Sequence, residues 1–283
     1  SVKGLDNINE YYDPKLKINR LKVLKKYKKF KFYKADISDY SQLEKKIYQK
    51  HKFSGVFNLA AQAGVRYSIE NPDAYFKSNI LGFFNIIKLT EKYKSGTLIY
   101  ASTSSVYGDQ KKFPIKENYD TNNPLSFYAA SKKTNEIMAS SFFKMYKTSS
   151  IGLRFFTVYG PYGRPDMSLF KFINSGLNNK KIELYNYGKH TRDFTYIDDI
   201  VNSIFLLYQK NKKNKKPIYK IFNIGNAKPV KLLSFVKNIE KIIGKKLKIK
   251  YLPMQKGDVE KTHSSPDKLY KYINYKPKTS VEE

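Results

Sequence analysis

At 283 residues the chain is long enough to bury a substantial core, as one large α/β domain or one domain with a smaller lobe. It has no cysteine, which excludes a disulfide scaffold and thiolate metal sites, and its three histidines (His51, His190, His263) are spaced too widely to suggest zinc. The net charge of +30 comes mainly from lysines scattered among abundant Asn, Ile, Tyr and Phe, residue types that share A/T-rich codons, so no nucleic-acid partner is expected. No apolar run reaches the roughly 18 residues of a membrane span and no signal-peptide core opens the chain, so a cytoplasmic protein without a membrane partner is expected.

Strands and helices alternate along the first half. Val2–Leu5 reads as a short strand, Pro14–Lys28 as an amphipathic helix, and Phe30–Ala35 as a strand ending at Asp36. Tyr40–Lys50 reads as a helix, Val56–Ala60 as a buried strand, Asp73–Tyr93 as one long helix and Thr97–Ser102 as another buried strand. A helix through Tyr128 to about Tyr146 precedes the strand Ser150–Phe155. This rhythm predicts an α/β fold with a doubly wound parallel sheet, whose chemistry collects at the carboxyl ends of the strands.

Beyond Tyr159 the character changes. A turn-rich loop, Gly160-Pro161-Tyr162-Gly163-Arg164-Pro165, leads to a helix over Met167–Leu177, a short strand over Ile182–Tyr185 and a helix over Ile197–Tyr208. Asn211–Pro217 reads as a solvated loop, Tyr219–Ile224 as a strand, Val230–Ile243 as a helix capped by Gly244, and Leu247–Tyr251 as a strand. The expected division is residues 1–155 as a Rossmann-like domain and 156–283 as a smaller substrate-binding α/β lobe, with about 190–225 interleaved with the first.

The most informative pattern is Tyr128 and Lys132, one helical turn apart, downstream of the hydroxyl-rich Ser102-Thr103-Ser104-Ser105 at a strand end. An ammonium at i+4 lies on the same helical face as the phenol and favours its ionised form, making an acid–base device. A Tyr-x-x-x-Lys alone is weak among 25 tyrosines; the strand-ending hydroxyl cluster strengthens it. Against the lysine background, Arg20, Arg66, Arg154, Arg164 and Arg192 stand out, since the planar fork suits carboxylate or phosphate.

With these residues in view the chain resembles the extended short-chain dehydrogenase/reductases, in the NAD-dependent epimerase/dehydratase group, and within it the UDP-glucuronate 4-epimerases. The matching segments are Gly4–Asn7, Leu59–Ser68, Leu153–Met167, Tyr185–Asp199, Phe222–Asn226 and Gly257–Val259. The resemblance implies NAD held by Asp6, Asn7, Asp36, Ile37, Leu59, Ala60, Ala61, Gln62, Asn79 and Ser102, with Tyr128 and Lys132 at the nicotinamide end. Asp6 would accept the adenosine-ribose hydroxyls, though it also reads as a turn residue; Asp36 also reads as a cap for the Tyr40 helix. Tyr128, Lys132 and Thr103 would be catalytic. Ser104, Ser105, Thr157 and Arg164 would meet the sugar and its C6 carboxylate, Arg192 the diphosphate, and Tyr185, Tyr187 and Asp258 the uridine. Tyr185 and Tyr187 also read as ordinary strand packing.

Relatives that dehydrate or decarboxylate carry an acid where this chain has Ser104 and Ser105, which favours simple 4-epimerisation of a UDP-uronate. A UDP-glucose 4-epimerase, a UDP-glucuronate decarboxylase and an inactive Rossmann-like fragment are the alternatives. The family opens with a strand and a Gly-x-x-Gly-x-x-Gly turn that none of the 14 glycines here reproduces, so roughly 30 residues are expected to be missing and NAD binding to suffer. The resemblance also implies a homodimer through the Asp73–Tyr93 and Phe127–Tyr146 helices, with Ile80, Phe83, Phe84, Ile87, Ile137 and Phe142 as candidate contacts.

Overall fold

The computed structural model describes residues 1–212, 214 and 216–283; within the expected Asn211–Pro217 loop, Lys213 and Lys215 lie outside the described residues. The strands are β1 Val2–Asp6, β2 Phe30–Lys34, β3 Gly55–Asn58, β4 Thr97–Thr103, β5 Ser150–Phe155, β6 Thr157–Tyr159, β7 Ile182–Leu184, β8 Thr191–Tyr196, β9 Tyr219–Ile224, β10 Pro229–Lys231 and β11 Ile249–Tyr251. The α-helices are α1 Pro14–Lys25, α2 Tyr40–Leu43, α3 Tyr67–Glu70, α4 Pro72–Tyr75, α5 Gly82–Lys92, α6 Phe127–Tyr146, α7 Ser168–Leu177, α8 Ile197–Lys212, α9 Leu232–Ile243 and α10 Asp267–Ile273.

The central parallel sheet runs β3-β4-β5-β9, and β1 pairs in parallel with β2 as a separate ribbon. Among the described residues no strand is hydrogen-bonded between β1 and β3, so the expected single sheet is present as two pieces. Alternation along β4 explains why both faces are covered. Leu98 and Tyr100 face a core built from α5 and its neighbours (Phe83, Ile86, Ile87, Leu89, Leu43, Ile47), while Ile99 faces a second core of Ile151, Leu153, Ile200, Leu207, Phe222 and Leu269. Gly152 on β5 is required by this packing: a Cβ there would stand 2.6 Å from the Tyr100 hydroxyl. A third core, centred on Phe194, Phe235, Val236, Ile239 and Leu184, holds the later strands together. It includes the antiparallel pair β10-β8 and the parallel pair β6-β8.

Several sequence expectations change. The Pro14–Lys28 segment forms α1, but none of its residues is buried; Leu16, Ile18, Val23 and Leu24 are all exposed. Instead Arg20 ties the helix to the Gly160–Asp166 loop, donating to the Gly163 carbonyl at 2.7 Å and the Tyr12 hydroxyl at 2.9 Å. The Asp73–Tyr93 helix is interrupted by a π-helical stretch, Phe76–Leu81, which carries Asn79. Asn211, expected in a solvated loop, lies in the last turn of α8 as a buried residue whose amide donates to Leu207 O at 2.6 Å. The strands β6, β8 and β10 were not anticipated, nor was α10.

Candidate active site

β4 and α6 create the reactive corner. β4 ends at Thr103, whose extended backbone lets its hydroxyl accept from Ser105 N at 3.2 Å and starts the tight turn Ser104–Tyr107. Ser126 caps α6, accepting from Ala129 N at 3.2 Å, so Tyr128 sits in the first turn and Lys132 one turn later. Thr103, Ser104, Ser105, Tyr128, Thr157 and Arg164 all line one cavity of about 1090 Å³.

The electrostatics differ from the simple i, i+4 expectation. Burial pushes the Tyr128 phenol above its ordinary value; the Thr103 hydroxyl and then the Arg164 charge pull it down. Lys132 is 3% exposed, donates to the Ala101 carbonyl at 2.9 Å, and is brought down to about 8 by burial. Its ammonium is thus held by the β4 backbone, and Arg164 adds a positive charge that pulls the Tyr128 phenol down.

Arg164 grips Asp166 of its own loop side-on, Nε to Oδ1 at 2.9 Å and Nη2 to Oδ2 at 2.7 Å. Tyr11 approaches the same carboxylate at 3.4 Å. Burial pushes the Asp166 carboxyl up, but the bonded Arg164 guanidinium outweighs it and holds the group below the usual carboxylate range. No described residue accepts from Arg164 Nη1. The end-on edge of the guanidinium thus keeps unused donors, which is what a second carboxylate would require.

Farther along the cavity lie Tyr185, His190, Arg192 and Asp258. Arg66 donates to Asp258 at 3.1 Å and lies 4.5 Å over the Tyr185 ring, whose hydroxyl donates to Glu183 at 2.8 Å. Arg192 is held by the carbonyls of Val259, Glu260 and Thr191 at 2.7, 2.9 and 3.0 Å, and burial lowers it to about 10. Tyr187 is not part of this group: it is exposed, in a left-handed turn with φ 50°, and off the cavity wall.

A second cavity of about 170 Å³ opens beside the first and shares Tyr11, Ala63 and Arg164 with it. Asp6, Asn7, Asp36, Ile37, Leu59, Ala60, Ala61 and Gln62 line it, delivered by the ends of β1, β2 and β3. The Asp6 carboxylate accepts from Ile8 N at 2.6 Å through Oδ1, leaving Oδ2 without a described partner. The Asp36 carboxylate accepts from the Asn7 amide at 3.0 Å and from Ser38; Asp39, not Asp36, caps the Tyr40 helix. The Ile37 side chain packs into the core against α5.

Three expected cofactor residues line neither cavity: Lys132, held by the β4 backbone, Asn79 and Ser102. Asn79 is buried with its amide fully used, accepting from Gln62 N at 2.8 Å and donating to Gln62 O and Ser131 Oγ at 3.0 and 2.9 Å. It fixes the loop after β3 against α6 and so positions that wall. Ser102 faces away, donating to Glu136 at 2.7 Å, because strand alternation turns it to the side of β4 opposite Thr103. Asp166, Tyr11 and His190 are polar cavity residues without a role in the sequence reading, and Arg66 stood out there only as one of the few arginines. The one available signal was an acid two residues after Arg164 in a loop.

The NAD dependent epimerase/dehydratase family model matches residues 8–225. A UDP-glucuronate 4-epimerase of Thermodesulfobacterium geofontis is 41% identical over 285 residues, spanning 100% of this chain and 85% of that one. Protein CapI of Staphylococcus aureus is 44% identical, spanning 100% of this chain and 88% of its own length. The UDP-glucuronic acid 4-epimerase from Bacillus cereus, solved with UDP-glucuronic acid and NAD, superposes with a TM-score of 0.89 at 30% identity, over 99% of this chain and 87% of that one. With a family match over most of its length and relatives above 40% identity, the chain belongs to the NAD-dependent epimerase/dehydratase family.

Proposed function

We propose that the protein interconverts UDP-glucuronate and UDP-galacturonate by epimerisation at C4, through a transient 4-keto sugar. The observation that carries this reading is the unused Nη1 edge of Arg164, in the cavity that Tyr128 also lines, with hydroxyls rather than an acid at Ser104 and Ser105. A guanidinium edge with free donors suits a sugar carboxylate, and hydroxyls in place of an acid leave no group for further proton abstraction.

The residues beside the smaller cavity fit one end of NAD. Asp6 offers a free carboxylate oxygen to ribose hydroxyls, and Ala60, Ala61 and Ala63 leave a smooth wall for a flat ring. The enclosed volume, about 170 Å³, is below the roughly 300–1,000 Å³ of a whole ligand pocket, so it encloses only part of a dinucleotide. When bound, NAD supplies a cationic acceptor that takes hydride from C4 and gives it back. Tyr128 would take the 4-hydroxyl proton as hydride leaves C4, and give it back to the same oxygen when hydride returns to the opposite face of the turned sugar. Thr103, next to the phenol, shares that proton. Arg164 holds the uronate carboxylate and, by its charge, favours the phenolate. Residues 1–155 carry the dinucleotide side of this work and residues 156–283 mainly the nucleotide-sugar side.

Incubation with UDP-glucuronate and NAD, followed by chromatography, tests the reaction. UDP-galacturonate as the main product supports it; UDP-xylose or a 4-keto pentose makes the protein a decarboxylase, and turnover of UDP-glucose alone makes it a UDP-glucose 4-epimerase. Tyr128→Phe removes the acid–base hydroxyl and little volume, so turnover should drop on the order of 10²–10⁴-fold with nucleotide-sugar affinity kept.

The assembly that fits best is a homodimer through the outer faces of α5 and α6. Phe84 and Ile137 are exposed there, and Phe84 meets Phe142 edge-on with centroids 6.2 Å apart. Phe83 and Ile87 contribute nothing to such a face because they are buried in the core. A monomer mass by light scattering at micromolar concentration rejects the dimer.

A further inference from the structure

Arg164 stands on a loop that needs outside support. The turn before it closes through one long bond, Gly163 N to Gly160 O at 3.3 Å, and holds Tyr162 in the left-handed region with φ 60°. That conformation is costly for a residue with a Cβ, and it persists where surrounding contacts over-determine it.

Those contacts come from the chain between β1 and the middle of α1. Arg20 Nη2 donates to the Gly163 carbonyl at 2.7 Å. This carbonyl belongs to the planar peptide that joins Gly163 to Arg164, so holding it fixes the plane from which Arg164 departs. On the other side of Arg164, the Tyr11 hydroxyl approaches Asp166 Oδ2 at 3.4 Å, and the Tyr11 ring packs on Tyr67 of the cavity wall with centroids 5.0 Å apart. Two tethers thus bracket Arg164. Packing of α1 does not account for Arg20, because no residue of that helix is buried. Tyr12 aims the guanidinium instead, accepting from Nη1 at 2.9 Å with its ring 5.6 Å below. Arg20 itself lines neither cavity, so any influence on a ligand there runs through the loop.

We infer that Arg20 is a positioning residue for Arg164: by gripping the Gly163 carbonyl it holds the Arg164 guanidinium in the cavity wall, and so contributes to the choice of a nucleotide sugar that bears a carboxylate. This rests on the uronate reading of Arg164. Selectivity in the cavity then depends on a side chain outside it, on a helix that adds nothing to the core.

The test compares wild type with Arg20→Met, which keeps a long apolar stem and removes the donors, and Arg20→Lys, which restores one charged donor. UDP-glucuronate and UDP-glucose are titrated calorimetrically, and urea unfolding is followed alongside. In Arg20→Met, UDP-glucuronate should bind about fivefold more weakly, the scale of one hydrogen bond, with UDP-glucose within about twofold and the unfolding midpoint nearly unchanged. Arg20→Lys should recover most of the loss. Added to Arg164→Ala, Arg20→Met should change neither affinity further, because residues that act through one group do not add. Equal discrimination by wild type and a folded Arg20→Met, or an undiminished effect in the absence of Arg164, overturns the assignment and leaves the uronate reading standing. If wild type does not favour UDP-glucuronate over UDP-glucose, that reading fails and takes this inference with it.

Discussion

Arg154 and Arg164 hold their carboxylates with nearly the same geometry. Arg154 meets Glu136 through Nε and Nη2, both at 2.8 Å, and Arg164 meets Asp166 through the same two nitrogens at 2.9 and 2.7 Å. Their surroundings separate them. The Arg154 and Glu136 side chains are 5% and 2% exposed, and Arg154 Nη1 is also taken, by the Tyr107 hydroxyl at 2.8 Å and the Glu117 carbonyl at 3.0 Å. The Arg164 and Asp166 side chains are 29% and 33% exposed on a cavity wall, with Nη1 unpartnered. Neither the fork nor its carboxylate distinguishes a structural pair from a binding one. The remaining donors do: Arg154 has spent its fork on locking α6 to β5, and Arg164 has kept an edge for a visitor.

Breaking the sealed pair should have the largest effect on the fold. Arg154→Ala leaves the buried Glu136 carboxylate with only the Ser102 hydroxyl and a Lys133 ammonium 3.9 Å away, and breaking such a buried pair typically costs about 3–5 kcal/mol. Urea unfolding should show that loss, and activity per folded molecule should change far less than stability. A loss below about 1 kcal/mol would mean that solvent reaches Glu136 and that the pair is not sealed.

The same substitution at Arg164 should behave in the opposite way. A partly exposed pair contributes about 0–1 kcal/mol, so Arg164→Ala should unfold at nearly the wild-type urea concentration. Its cost should appear in substrate choice. The preference for UDP-glucuronate over UDP-glucose should narrow by tens- to thousands-fold, about 2–4 kcal/mol for charged hydrogen bonds left unmade. Arg164→Lys should recover only part of this, because a point charge lacks the fork. Equal discrimination by all three proteins in competition binding would reduce Arg164 to a loop-packing residue.

Lys132 lies between these cases: it is sealed like Arg154, but with a carbonyl rather than a carboxylate as partner. Burial holds it at about 8 against an ordinary 10.5. Its folded-state value is depressed, so its burial destabilises the fold fully below about 8. As pH rises from there toward 10.5, the unfolded chain holds a proton that the folded chain has released, and stability rises. The stability of wild type relative to Lys132→Met should therefore improve across that window, by up to about 1.4 kcal/mol per pH unit. A flat difference between pH 8 and 10.5 would mean that Lys132 stays charged in the fold.

The contrast between the arginines also marks how far the sequence could be read. Tyr128 and Lys132 were legible because i, i+4 spacing is a property of one helix, and the parallel sheet was legible in its alternating apolar runs. Their electrostatics were not, because the turn of Lys132 toward the Ala101 carbonyl depends on β4 lying beneath α6. Ser102 looked like a site residue by adjacency to Thr103, yet one step along a strand reverses the face. The segment Thr191–Tyr196 has the β-branched and aromatic alternation of a strand, but its neighbours β6 and β10 come from distant parts of the chain. The side-on grip of Asp166 on Arg164 depends on loop geometry that no periodicity encodes.

The smallest expected effect belongs to Asp166, and it sharpens the contrast most. If Arg164 receives a sugar carboxylate end-on, two carboxylates share one guanidinium, roughly 6 Å apart. At an effective dielectric constant of 20 they repel by about 3 kcal/mol, and partial exposure screens much of that. Asp166→Asn removes the repulsion while keeping an oxygen to hold Arg164, so the cost is a looser guanidinium, about 0.5–1.5 kcal/mol. The residual repulsion should win narrowly: UDP-glucuronate should bind about threefold tighter, and UDP-glucose, with no carboxylate, should be unchanged. Glu136→Gln, the matching change in the sealed pair, should alter neither affinity and should cost stability instead. Calorimetric titration of both nucleotide sugars into both variants measures the difference. Weaker UDP-glucuronate binding in Asp166→Asn would mean that orientation outweighs repulsion, and that Asp166 serves Arg164 as Glu136 serves Arg154, by holding it still.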